Sequence, residues 1–347
     1  MAEKRISVAL FSILVIFSGI SLFVGVINLN LVSLLRDDFE QLEILLISRL
    51  PRLLAILCTG MGMSVAGLIM QQLCMNKFVS PSTGATISSA QLGILISMLF
   101  FRGSTLAGRT VFAFLTAIAG TWTFVFFMQK IKFKDVIMVP LVGIMFGNII
   151  SGVTEYLSYK YGMNQALSSW LVGDFSLIIR GRYEIVFLIL PLLIIAFVFA
   201  NHFNIVGMGE DFSKNLGVNY NLILFAGLSI AALITASVVV TVGSVPYLGL
   251  IVPNIISMFR GDKMRGSLLD TALFGAVFIL ICDILGRIVN YPYEIPINLT
   301  VGILGSLIFI GLLFRRLNPK AHKLRRSPGR IDCKRPISQT KGGKQPQ

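Results

Sequence analysis

RLPRLLAILCTGMGMSVAGLIMQQL, residues 49–73, decides what kind of protein this is. No charged residue stands between Arg52 and Lys77, and an α-helix needs about 20 predominantly apolar residues to cross ~30 Å of hydrocarbon. The stretch therefore reads as a membrane-spanning helix over 51–73, with Arg49 and Arg52 at its mouth. Working outward, comparable apolar runs lie at 6–29, 84–101, 110–128, 136–157, 185–201, 221–243, 246–260, 267–289 and 296–314. Together they predict an all-α polytopic membrane protein of about ten transmembrane helices. At 55% hydrophobic and 13% charged residues, the composition fits that class and not a soluble domain. The short alternating strands of a membrane β-barrel are not seen. The first run follows Lys4 and Arg5 as a signal peptide would, but it is long and no small-residue cleavage site closes it, so it is read as a retained helix.

An even number of crossings puts both termini on one side. The net charge of +14 suggests nucleic acid only until the charge is located: residues 315–347 carry eleven Lys and Arg against the single acid Asp332, leaving +4 for the rest. Residues 317–347 are polar, rich in Pro and Gly and without apolar periodicity. They read as a disordered basic tail attracted to anionic lipid, following a membrane domain of residues 1–316. The tail and the KIKFKD cluster at 130–135 put the termini in the cytoplasm by the positive-inside rule. With that orientation, seven of the ten basic residues in the inner loops are Lys and eight of the nine in the outer loops are Arg. The planar fork of arginine suits carboxylates and phosphates, so the outer face reads either as a docking surface or as a set of interfacial anchors.

Most catalytic chemistry lacks material. There is no GxxxxGK[ST], so this chain does not hydrolyse ATP through a P-loop. There is no HExxH, and the two histidines are His202 and His322. Cys58, Cys74, Cys282 and Cys333 show no metal-ligand spacing. The chain is expected to be no enzyme and to hold no cofactor or metal. Acids within the predicted spans are Glu155, Asp270 and Asp283. Such carboxylates are a default sign of ion coupling, which keeps an ion-driven secondary transporter open as an alternative. Asp283, however, stands at i,i+4 from Arg287, and Glu155 and Asp270 fall near predicted helix ends, where water is close. Uncharged polar residues in the spans, including Gln71, Gln72, Ser88, Asn148 and Ser151, either tie helices together or line a polar path. Segment 164–179 is too short to span and reads as a short helix dipping in from the outer side. It adds Ser168 and Trp170 to Asn148 and Ser151 as candidate path residues.

Four stretches together resemble one family, the iron–siderophore and cobalamin ABC importer permeases of the FecCD type. RLPRLLAILCTGMGMSVAGLIMQQLCMNKFVSPSTGA (49–85) is similar to its R-x-P-R opening, small-residue helix and Asn-x-x-x-x-Pro turn. MGEDFSKNLGV (208–218) resembles its cytoplasmic Gly-Glu…Leu-Gly loop. GSVPYLGLIVPN (243–254) resembles a Gly-rich segment ending in Val-Pro, with Asn254 where the family usually has His. CDILGR together with EIPINLTVGILGS (282–306) resembles the final-helix signature.

The resemblance covers roughly residues 5–316. It implies ten helices with both termini inside, in a bacterial inner membrane. It implies a homodimer, or a pair with a homologous permease, above two ATP-binding cassette subunits, served from outside by a siderophore-binding protein. The implied solute is a ferric siderophore, closest to the catecholate type, with haem or cobalamin as alternative solutes. It further implies that Arg49, Arg52 and Arg287 receive carboxylates of the binding protein, and that Gly209, Glu210, Leu216 and Gly217 form the contact with the ATPase.

Overall fold

The computed structural model describes residues 2–25, 39–101, 105–130, 138–179, 181, 183–261 and 264–317. These form helices α1 (Ala2–Phe23), α2 (Leu50–Leu73), α3 (Thr86–Phe100), α4 (Leu106–Lys130), α5 (Met138–Lys160), α6 (Asn164–Leu171), α7 (Ile189–Val206), α8 (Glu210–Asn215), α9 (Tyr220–Thr241), α10 (Leu248–Arg260), α11 (Met264–Ile288) and α12 (Ile297–Leu317). Seven spans are long and apolar enough to cross a membrane, and α3, α10 and α12 are shorter apolar helices. Among the described residues this matches the ten runs read from the sequence, with α6 and α8 as the two short extras. The chain divides into a unit of residues 1–306 and a second of 307–347. The described part of the second is the end of α12, with Leu307, Ile310 and Phe314 exposed. The predicted tail beyond Leu317 lies outside the described residues.

The centre of the first unit is α2, packed against α11, α9 and α10. Its apolar window is 83% buried, whereas that of α1 is 6% buried. Glycines permit the closeness: a Cβ on Gly60 would lie 2.6 Å from the backbone of Ala276 on α11, and one on Gly67 would collide with the carbonyl oxygen of Gly249 on α10. That second approach serves a hydrogen bond. Pro253 inside α10 has no N–H, which leaves the Gly249 carbonyl without its helical donor. Gln71, one turn along α2 from Gly67, donates to Gly249 O at 3.2 Å and Leu250 O at 3.3 Å. Gln71 therefore ties helices together, one of the two roles read for the polar residues in the spans.

Two irregular segments enter the bundle. Residues 74–85 connect α2 to α3, with Val79, Ser80 and Pro81 buried, and Asn254 donates to Lys77 O at 2.8 Å. Residues 172–178 run beside 242–247 through Ser244 N–H to Leu171 O (3.1 Å) and Asp174 N–H to Val242 O (3.1 Å). Both short helices that follow begin at a residue in the left-handed region, Ala85 (φ 61°) before α3 and Tyr247 (φ 61°) before α10. Broken helices of this kind are tolerated in a membrane only inside protein or beside a cavity.

One boundary needs correction. The helix expected over 51–73 starts earlier, through a helical lead-in at Phe39–Ile44 and one π turn at Leu45–Arg49. Pro51 cannot donate to the residue four before it, and the π turn, with Leu50 N–H on Leu45 O, absorbs the defect without ending the helix. Arg49 and Arg52 thus lie within a continuous helix rather than at its mouth.

Candidate functional site

The three arginines singled out in the sequence meet at one end of the bundle, where α1 ends and α11 ends. Arg52 Nη2 donates to Asp283 Oδ1 at 2.8 Å and its Nη1 to Glu294 Oε2 at 2.6 Å. Arg287 pairs with the other oxygen of Asp283, its neighbour one helical turn back. The remaining donors close the end of α1: Arg287 Nη1 reaches Ser21 O (2.9 Å) and Val24 O (2.8 Å), and Arg49 Nη1 also reaches Val24 O at 2.8 Å. Carbonyls at a helix C-terminus have no helical donor, and cations there complement the helix dipole. Gly25 makes this possible, since a Cβ there would collide with the Arg49 guanidinium. Arg49 and Arg52 are each 8% exposed and Arg287 is 4% exposed. Glu294, which the sequence analysis did not single out, completes the cluster from the turn between α11 and α12.

A second buried charge sits at the opposite end of α11. Asp270 was expected near water at a helix end. Instead it is fully buried, paired with Arg260 of α10 and accepting from Ser7 of α1 at 2.6 Å, while Arg260 Nη2 donates to the same serine at 2.8 Å. The nearness to a helix end misled; α1 covers this end of α11.

At this same end lies α8. Gly209 (φ 110°) and Gly217 (φ 73°) flank it in backbone conformations that favour glycine. Ser213 is buried and donates to Ile205 O and Gly209 O, anchoring α8 on α7. Glu210 pairs with Lys214 at 2.8 Å on the open surface, and that hydrogen bond raises the lysine above its ordinary range. Leu216 is 54% exposed. Met208 and Phe212, which sequence reasoning missed, are also exposed; three large apolar residues within a short polar, Gly-bounded segment are the signal that could have found them. A cavity of about 240 Å³ opens nearby, lined by Gln72, Asn76, Lys77, Gly207, Ser257 and Ser267. Burial pushes the Cys74 thiol up to about 12, so it is inert.

The four path candidates have different surroundings within this chain. Ser151 donates to Ser88 of α3 at 3.1 Å, and Trp170 lies under the Arg109 guanidinium, 4.6 Å from its centroid. Asn148 and Ser168 are exposed on α5 and α6. Among the described residues no group of three or more His, Cys, Asp or Glu could hold a metal ion.

Comparison with known proteins agrees with this architecture. Residues 11–315 match the FecCD transport family. The chain is 50% identical over 307 residues to the petrobactin import system permease protein YclN of Bacillus subtilis (strain 168), covering 88% of this chain and 97% of that protein. It is 37% identical to the ferric-anguibactin transport system permease protein FatD of Vibrio anguillarum, over 77% of this chain and 85% of that one. Among solved structures, a metal-chelate type ABC transporter in an inward-facing conformation matches with a TM-score of 0.78 at 25% identity, covering 90% of this chain and 99% of that one.

Proposed function

The chain belongs to the FecCD transport family, and on that premise we propose that it is the permease through which an ATP-driven importer takes up ferric siderophore of the catecholate type. It is a transport protein and not an enzyme, a multi-pass protein of the bacterial inner membrane working with ATPase and substrate-binding partners. The observation that carries the solute is half-identity with a petrobactin permease along 97% of that protein's length.

The finer assignments follow the geometry. Both termini lie in the cytoplasm, which puts the arginine cluster outside and α8 inside. Two copies, or this chain and a homologous permease, enclose the path. Three arginines converging on one end support docking of the binding protein there. Around α8, the exposed apolar side chains of Met208, Phe212 and Leu216, set beside two turn glycines, support contact with the ATPase. The basic tail serves membrane attachment rather than transport.

The test is growth on single siderophores as sole iron source, with and without this gene. Loss of growth on ferric petrobactin but not on ferric citrate is expected; undiminished growth on every siderophore tried refutes the assignment. Uptake should stop on ATP depletion and survive a protonophore, and the reverse pattern would return the chain to the ion-driven class.

A further inference from the structure

The arginine cluster is closed on every side except one. The side chains of Arg52, Asp283 and Arg287 are 9%, 3% and 2% exposed, whereas that of Glu294 is 21% exposed. A carboxylate arriving from outside therefore meets Glu294 before it meets a guanidinium. The hold on Glu294 is also monodentate: Arg52 gives it one N–H, gives another to Asp283, and keeps a buried Nε without a partner. A guanidinium gripping one carboxylate bidentately would be harder to separate.

We propose that Glu294 is a resident carboxylate: it occupies Arg52 while the permease stands undocked, and an acidic side chain of the substrate-binding protein takes its place on docking. This rests on the docking reading given above and states how that surface is regulated.

The surroundings fit an exchange of side chains without movement of the backbone. The turn that bears Glu294 is fixed by Ile295 N–H on Gly286 O (3.0 Å) and Tyr293 N–H on Asn290 O (2.8 Å). Its neighbours Val289, Tyr291 and Tyr293 are well exposed, so a glutamate rotating outward meets water. Rotamer changes of this kind are common on binding. Asp283 stays on Arg52 throughout, so the buried guanidinium is never left uncompensated, which would be the expensive step. One carboxylate replaces another on the same cation, and the affinity gained is the difference between them. Glu294 thus holds docking weak and reversible, as a partner that must leave in every cycle requires.

The test uses the intact transporter in lipid nanodiscs and its siderophore-loaded binding protein. Glu294→Gln keeps the shape and an acceptor oxygen but removes the competing charge, so affinity should rise by about tenfold, mostly through slower dissociation. Glu294→Asp, too short to reach Arg52 in the same way, should tighten binding by about threefold, and decides the matter should the Gln variant fail to assemble. Affinity unchanged or weakened in the assembled variants overturns the proposal. Arg52→Gln and Arg49→Gln test the underlying reading separately. If neither weakens binding, the docking assignment itself fails; if they weaken it and no Glu294 variant tightens it, only the exchange is wrong.

Discussion

Helix α11 carries two buried aspartates, Asp270 and Asp283, and the structure treats them differently. Each meets an arginine from another helix, Arg260 or Arg52; Ser7 of α1 bonds both members of the first pair, whereas Ser21 of α1 bonds only Arg287, the second arginine on Asp283. Around Asp270 the arginine side chain is 9% exposed and the acid not at all. Around Asp283 the same arrangement is extended by Arg287, Arg49 and the partly exposed Glu294. One region is a closed lock and the other has an opening. Charge buried in a membrane protein is retained where it fixes helices or where it works, and the two ends of α11 separate these uses.

The sharpest break of that comparison is to neutralise each acid in turn. Asp270→Asn leaves Arg260 buried beside a neutral group and should destabilise the protein by about 3–5 kcal/mol, seen as lost abundance and a lower melting temperature in detergent. Replacing the pair together, Asp270→Leu with Arg260→Met, should recover most of the loss, because no uncompensated charge remains. A single mutant that melts like the parent would show the lock to be ornamental.

Asp283→Asn should cost less, about 1–3 kcal/mol. Arg52 retains Glu294, which is 21% exposed, and Arg287 retains Ser21 and the Val24 carbonyl. If this variant proves less stable than Asp270→Asn, the distinction between lock and opening is reversed. A neutral interhelical tie gives the lower reference. Gln71→Leu leaves the Gly249 carbonyl unsatisfied beneath Pro253, and hydrogen bonds between membrane helices average well under those charged values, so a loss of about 1 kcal/mol is expected.

These contrasts also explain what was legible in the sequence. The ten apolar runs were, because long and largely uncharged stretches have few other uses. Gly209 and Gly217 were marked only through the family resemblance, and their turn role around a six-residue helix came from the backbone. The pairing of Asp283 with Arg287 followed from helical spacing alone. Arg52 and Glu294 are 242 residues apart, and no local pattern encodes so distant a contact. Asp270 was misjudged for the same reason: the element that buries it lies at the other end of the chain. The lead-in ahead of Arg49 escaped because Pro51 and two arginines resemble a helix start, and only backbone geometry reveals a π turn carrying the helix through them.

The smallest effect on stability is expected at α8, where the ion pair Glu210–Lys214 is 52% and 64% exposed. A surface pair gains little beyond its screened attraction. The hydrogen bond to Glu210 raises the Lys214 titration, so whatever stability it lends is fully present below the ordinary lysine range and is lost only as pH rises through the raised value. Between about pH 6 and pH 9 the lysine stays charged in both folded and unfolded chains. Lys214→Ala should therefore lower the melting temperature only slightly and by the same amount across that window. Leu216→Asp, on the same knob, should change it little too, because a side chain 54% exposed has little burial to lose. Yet in the assembled transporter its uptake should fall by about tenfold or more, since an exposed apolar side chain that anchors a partner carries its energy in the complex and not in the fold. ATP hydrolysis should continue without import. Equal uptake in Leu216→Asp and Lys214→Ala would leave α8 an ordinary surface turn, and the contact with the ATPase would have to be sought among the helix ends around the nearby cavity.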